Sequence, residues 1–264
     1  MGRIYAIANQ KGGVGKTTTC VNLAASLAAT RKRVLLVDLD PQGNATMGSG
    51  VDKNSVEFSV YDVLLGLTRL ENALQSSPEG HYAVLPANSD LTAAEVEMLT
   101  LDKKEYRLKK ALSDLKGQFD FILIDCPPSL NMLTVNALTA CDGVLIPMQC
   151  EYYALEGLSA LINTINTIQS MLNPQLKIEG ILRTMYDPRN SLTGDVSQQL
   201  HSHFGDRVYR TCVPRNVRLA EAPSFGLPVI SYDKQSKGSM AYIALAGEIL
   251  RRNEASTAEL ATAS

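Results

Sequence analysis

An excess of charge of one sign is missing from this chain. Its 264 residues carry 25 Lys and Arg against 27 Asp and Glu, a formal net charge of −2. No global attraction to a polyanion follows, so any nucleic-acid surface has to be a local patch. Cysteine is scarce: Cys20, Cys126, Cys141, Cys150 and Cys212 are odd in number and scattered, with no C-x-x-C pair. That spacing supports neither a disulfide framework nor a zinc site, and points to free thiols in the cytosol. No apolar run approaches the length of a membrane span. The first residues also lack the basic segment and apolar stretch of a secretory signal. Of the three histidines, His81, His201 and His203, the last two would face different sides of a helix and read as ordinary surface. There is no internal repeat.

What the chain does have is apolar material, 45% of its residues, enough to fill a sizeable core, in segments that alternate between strand and helix. Apolar strands are expected over Arg3–Ala8, Arg33–Leu39, Tyr82–Pro86, Phe119–Asp125, Asp142–Met148, Lys177–Thr184 and Arg207–Cys212. The continuous Val-Leu-Leu-Val of the second suits a parallel strand covered on both faces. Helices are expected through Leu23–Ala29 and over Asp90–Leu99, Lys103–Leu115, Ala154–Leu172, Ser191–Phe204 and Lys237–Arg252. In the long one, Leu155, Leu158, Leu161, Ile162 and Ile165 repeat at helical spacing. Residues 45–80 read as a surface excursion with short helices at Val60–Leu67 and Leu70–Leu74. The pattern predicts an α/β fold, a mostly parallel twisted sheet with helices on both faces. It forms one domain over residues 1–252, followed by a polar tail, 253–264, expected to be disordered.

The chemistry concentrates after the first strand, at Asn9-Gln10-Lys11-Gly12-Gly13-Val14-Gly15-Lys16-Thr17-Thr18. A strand that stops at a glycine-rich loop and restarts as a helix turns consecutive backbone N–H groups into one nest for phosphate. Lys16 supplies a point charge for the β- and γ-phosphates, and the Thr17 hydroxyl is placed for Mg²⁺. A dinucleotide site is the competing reading, since Gly13-x-Gly15 precedes an acidic residue, Asp38, at the end of the next strand. Thr18 stands where that fingerprint wants glycine or alanine, and Lys16-Thr17 puts ammonium and hydroxyl where it wants bare backbone. Asp38 and Asp40 follow the second strand, one for the Mg²⁺ water shell and the other to orient an attacking water. Asp125 ends an apolar strand as a Walker B carboxylate does, placing it near the metal.

The general P-loop pattern would have glycine at position 10, where this chain has Gln10, and adds a second lysine, Lys11. K-G-G-x-G-K-[ST] resembles the deviant Walker A signature of the MinD/ParA/nitrogenase-iron-protein class of ATPases. D-x-D-P-Q-G-N at 38–44, I-D-x-P-P at 124–128 and P-R-N-V-x-L-x-E-A-P-S-x-G at 214–226 resemble segments of ParA/Soj-type partition ATPases. The resemblance runs from Arg3 to about Arg252. It implies ATP and Mg²⁺ as cofactors, an ATP-bound homodimer in which Lys11 reaches the partner's nucleotide, and binding of DNA without sequence preference. It further implies hydrolysis, with Asp40, Lys11 and Lys16 as the catalytic group, prompted by a ParB-type partner in a nucleoid-associated cytoplasmic protein. ATP would lie on Lys11, Gly12, Gly13, Val14, Gly15, Lys16, Thr17 and Thr18, with Asp187 and Pro214 walling the adenine. The metal would be served by Thr17, Asp38 and Asp125, and DNA by Arg189, Arg218 and Lys237. Two other readings remain open within the class. A positioner of another cargo shares the core motifs, while a MinD-like membrane ATPase needs a basic amphipathic C-terminal helix, against which the sequence at 251–264 argues. The iron–sulfur branch lacks its glycine-flanked cysteines here.

Overall fold

A computed structural model of the chain describes residues 2–115 and 117–262. Strands β1 (Arg3–Ile7), β2 (Val34–Asp38), β3 (Gln75–Ser76), β4 (Ala83–Leu85), β5 (Phe121–Asp125), β6 (Gly143–Gln149), β7 (Lys177–Tyr186) and β8 (Val208–Pro214) make one sheet, in the order β3-β4-β2-β5-β1-β6-β7-β8. All pairings are parallel except β3 with β4. The sequence expectation of a mostly parallel sheet therefore holds. Its order places β1 between β5 and β6, and the P-loop leaves the carboxyl end of that central strand.

The helices are α1 (Lys16–Ala28), α2 (Asn44–Gly48), α3 (Val60–Leu65), α4 (Leu70–Ala73), α5 (Leu91–Glu97), α6 (Arg107–Ser113), α7 (Met132–Ala140), α8 (Ala154–Met171), α9 (Ser191–Phe204), α10 (Val217–Glu221), α11 (Val229–Tyr232) and α12 (Lys237–Thr262). Two apolar cores result, one on each face of the sheet. Strand alternation divides the side chains between them. Ala6, Leu35, Val37, Ile122 and Ile124 face one core together with Leu158, Leu161 and Ile165 of α8. Tyr5, Ile7, Val34, Leu36 and Leu123 face the other, with Leu23 and Leu27 of α1 and Tyr242, Leu245 and Ile249 of α12.

Two expectations change, and one helix had none. Residues 45–80 are not merely a surface excursion: Val60, Leu64 and Leu70 are buried in the first core. The Val60 N–H donates to Pro86 O at 2.8 Å, tying the segment to the end of β4. Helix α7 has no sequence signature in period, because Leu133, Thr134, Asn136, Ala137, Leu138 and Thr139 are all buried, so no polar stripe marks its outside. Finally, α12 continues to Thr262 through the residues expected to form a disordered tail from Asn253; the tail's last two positions, 263 and 264, lie outside the described residues.

Candidate functional site

The P-loop is fixed in place from two other strands of the sheet. Thr184 of β7 donates its hydroxyl to Val14 O at 2.8 Å, and Asn9 donates to Pro147 O of β6 at 2.8 Å. Asn9 also accepts from the Lys11 N–H at 3.0 Å. Gly13 and Gly15 have φ of +73° and +88°, the left-handed region that glycine enters without penalty. With Gly15 as N-cap, α1 begins at Lys16 and directs its N-terminal N–H groups into the loop. A Cβ on Gly12 or Gly13 would meet no atom within 4 Å, so nothing packs against the loop at these two positions. Lys16 is only 7% exposed; its ammonium donates to Lys11 O at 3.2 Å. Burial lowers its pKa, an effect that the nearby Asp125, Cys126 and Asp40 oppose.

Parallel register brings the acidic residues together. Asp125 is the Cα partner of both Ile7 and Asp38, so the carboxylates ending β2 and β5 lie on adjacent strands beside the loop. Both are fully buried. Thr17 donates to Asp125 Oδ2 at 2.7 Å, which joins the P-loop helix to the Walker B strand. Asp125 Oδ1 has no hydrogen-bond partner among the described residues. A buried carboxylate oxygen without a donor is costly, and burial together with Asp38 pushes the Asp125 pKa well up. Burial also raises Asp38, to about 6.

Strand β2 ends at Asp38, and the chain turns after it. Asp38 Oδ2 accepts from Thr46 N at 2.8 Å and Thr46 Oγ1 at 2.7 Å, and Oδ1 accepts from Asp40 N at 3.1 Å. Its carboxylate thus anchors the turn, whereas Asp125 keeps an oxygen without a protein donor. Asp40 is half-buried, accepts from Gln42 N at 2.9 Å, and acts electrostatically on Lys16, Asp38 and Asp125.

A cavity of about 210 Å³ adjoins Gly15 and Thr18 and is lined also by Thr184, Met185, Val213 and Pro214. Pro214 thus lines a cavity next to the P-loop. Asp187 does not line that cavity. It forms a two-pronged pair with Arg189, at 2.9 and 2.7 Å, which holds its pKa down to about 2. Arg218 pairs with Glu221 at 2.8 Å and Asp233 at 3.3 Å, and Lys237 opens α12 exposed. Both arginines expected to meet DNA are thus matched by carboxylates of their own chain. Lys11 forms an ion pair with Glu151. Glu151, Thr46 and Thr184 escaped the sequence reading because each acts through a contact formed only by the fold.

No group of three or more His, Cys, Asp and Glu suited to hold a metal ion occurs among the described residues. No described helix is long and apolar enough to cross a membrane.

Residues 2–178 match the AAA domain family model. The chromosome partitioning protein ParA of Myxococcus xanthus is 51% identical over 253 residues, covering 96% of this chain and 89% of that protein. The sporulation initiation inhibitor protein Soj of Bacillus subtilis is 53% identical over 249 residues, 94% of this chain and 98% of that one. Among solved structures, a cobyrinic acid a,c-diamide synthase from Mycobacterium smegmatis, with bound ATP analogue and magnesium, superposes with a TM-score of 0.85. It is 40% identical and covers 96% of both chains. The deviant P-loop, the paired strand-end aspartates and relatedness over nearly the whole length make one case: the chain belongs to the ParA/Soj family of chromosome-partitioning ATPases.

Proposed function

We propose that the chain is an ATP-gated dimerising switch that binds DNA without sequence preference and releases it on hydrolysis prompted by a ParB-type partner. The observation that carries the reading is the Thr17–Asp125 pair with Asp125 Oδ1 unpartnered, set at the start of the helix that follows the glycine-rich loop. A donor-less buried carboxylate oxygen, a hydroxyl and a phosphate cradle are the donor set that Mg²⁺ with a nucleoside triphosphate completes. A relative named as a chromosome partitioning protein ParA and one named as a chromosome-partitioning ATPase Soj support the same assignment. The ion supplies positive charge to the phosphate oxygens; the rest of the work falls to the chain.

The backbone N–H groups of the loop, with Gly12, Gly13, Val14 and Gly15 giving room, bind phosphate, and Lys16 and Thr18 bound it on the helix side. The low-dielectric setting of Lys16 strengthens its attraction for phosphate oxygen. Thr17 and Asp125 hold the metal's protein side, and Asp38 holds the turn that presents Asp40. Asp40, half exposed beside Lys16, orients the attacking water. Lys11, on the rim of the loop, reaches the nucleotide of a second copy, so ATP favours face-to-face closure. Pro214 walls the base, and Asp187 lies outside the lining of that cavity. DNA contact falls to Arg189 and Arg218, with Lys237 as a weaker third, in the nucleoid-associated cytoplasm.

The test is fluorescence anisotropy of two duplexes of equal length and unrelated sequence, with protein plus Mg²⁺ and ATP, ADP or no nucleotide. Equal binding of both duplexes with ATP alone supports the reading. Binding that ignores nucleotide, or that favours one duplex, overturns it. Anionic vesicles in the same format separate off the membrane alternative.

A further inference from the structure

The ion pair between Lys11 and Glu151 joins residues 140 apart in sequence, and nothing above gives Glu151 a task. Both backbones are fixed. The Lys11 N–H donates to Asn9 and its carbonyl accepts from Lys16. The Glu151 N–H donates to Gln149 O at 2.9 Å, and its carbonyl accepts from Ala154 N at 3.0 Å, just where β6 passes into α8. The fold, not chance side-chain wandering, therefore brings the carboxylate to the ammonium. The side chains are 47% and 44% exposed, so the pair is open to exchange. Tyr152 and Tyr153 follow directly, 74% and 70% exposed, in an edge-to-face pair at 5.0 Å. The same rim thus carries exposed aromatic surface of the kind a second copy covers.

We propose that Glu151 is a positioning residue for Lys11: it holds the ammonium within its own chain, and closure of the dimer requires Lys11 to exchange this carboxylate for the partner's phosphate. The inference rests on the reading that Lys11 acts across the dimer. Glu151 then sets the threshold for closure. A chain without phosphate to offer leaves Lys11 neutralised, which disfavours premature pairing of two copies. An exposed pair is worth a factor of about 1.4 to 5.4 in an equilibrium constant. Two pairs break per dimer, so the opposition to closure is roughly 2- to 30-fold.

Two measurements test this. The first is a double-mutant cycle in thermal unfolding of the protein without nucleotide, using Lys11→Ala, Glu151→Gln and the double variant. The pair predicts non-additive shifts in melting temperature. Additive shifts overturn the cis pair. The second is the dimer dissociation constant by sedimentation with Mg²⁺ and a non-hydrolysable ATP analogue. Glu151→Gln is expected to dimerise 2- to 30-fold more tightly than the parent at low salt, with the gap narrowing as salt rises. Glu151→Asp should lie closer to the parent. If Glu151→Gln dimerises as the parent does or more weakly, while Lys11→Ala stays monomeric, the guard role is wrong and the trans-lysine reading stands. If Lys11→Ala dimerises normally, the trans-lysine reading fails and takes the guard role with it.

Discussion

Asp187 and Asp125 show how differently two carboxylates behave a short way from one loop. Asp125 is buried with one oxygen unpartnered, and its pKa is raised. Asp187, opposite the Arg189 fork, is held down to about 2. The sign for Asp187 is that of a depressed acid: the folded chain binds fewer protons than the unfolded one. Its contribution is present above the ordinary carboxylate range and is lost as pH falls toward about 2. Carboxyl-carbon NMR should place its titration near 2, and in Arg189→Ala return it toward 4. An unmoved midpoint would show that the arginine is not the cause. The motif residues around the P-loop were legible in the sequence because phosphate binding needs fixed residue types at fixed spacing. The partners Asp38 takes were not legible, since Thr46 lies on a short helix whose position depends on the fold. That contact ties the Asp38 carboxylate to the turn that carries Asp40.

At the scale of elements, strands and long amphipathic helices were readable where one period dominated, as in β2, α8 and α9. Helix α7 was invisible because it is buried nearly all round, and the extension of α12 because a polar, alanine-rich stretch reads equally as helix or tail. The docking of α2 was invisible for another reason. Gly50 and Gly226 meet backbone to backbone, with φ of +79° and +64°; a Cβ on Gly226 would sit 3.1 Å from Gly50 Cα. Gly226→Ala combines a left-handed backbone with that crowding, so a loss of roughly 2–3 kcal/mol is expected. Gly157 lies inside α8 with nothing within 4 Å of a Cβ. Gly157→Ala should therefore gain about 0.5–1 kcal/mol. Urea unfolding of the two variants checks the contrast, and a harmless Gly226→Ala would remove the close approach.

For the whole molecule, a net charge of −2 makes any DNA affinity the property of a few residues. Arg189 and Arg218 each already face carboxylates of their own chain, so phosphate must displace those partners. Four arginine–phosphate contacts per dimer imply a log–log salt slope of roughly −3.6. Arg189→Glu or Arg218→Glu should abolish ATP-dependent binding equally on all sequences. If both variants match the parent at equal salt, the DNA surface lies elsewhere.

Nucleotide-gated dimerisation is the central claim, and Asp40→Ala isolates it, because that residue is assigned to the attacking water and not to phosphate binding. Sedimentation velocity of this variant with ATP and Mg²⁺ should show a persistent dimer, and a monomer with ADP or without nucleotide. An Asp40→Ala protein that binds ATP and remains monomeric at every concentration would contradict the account.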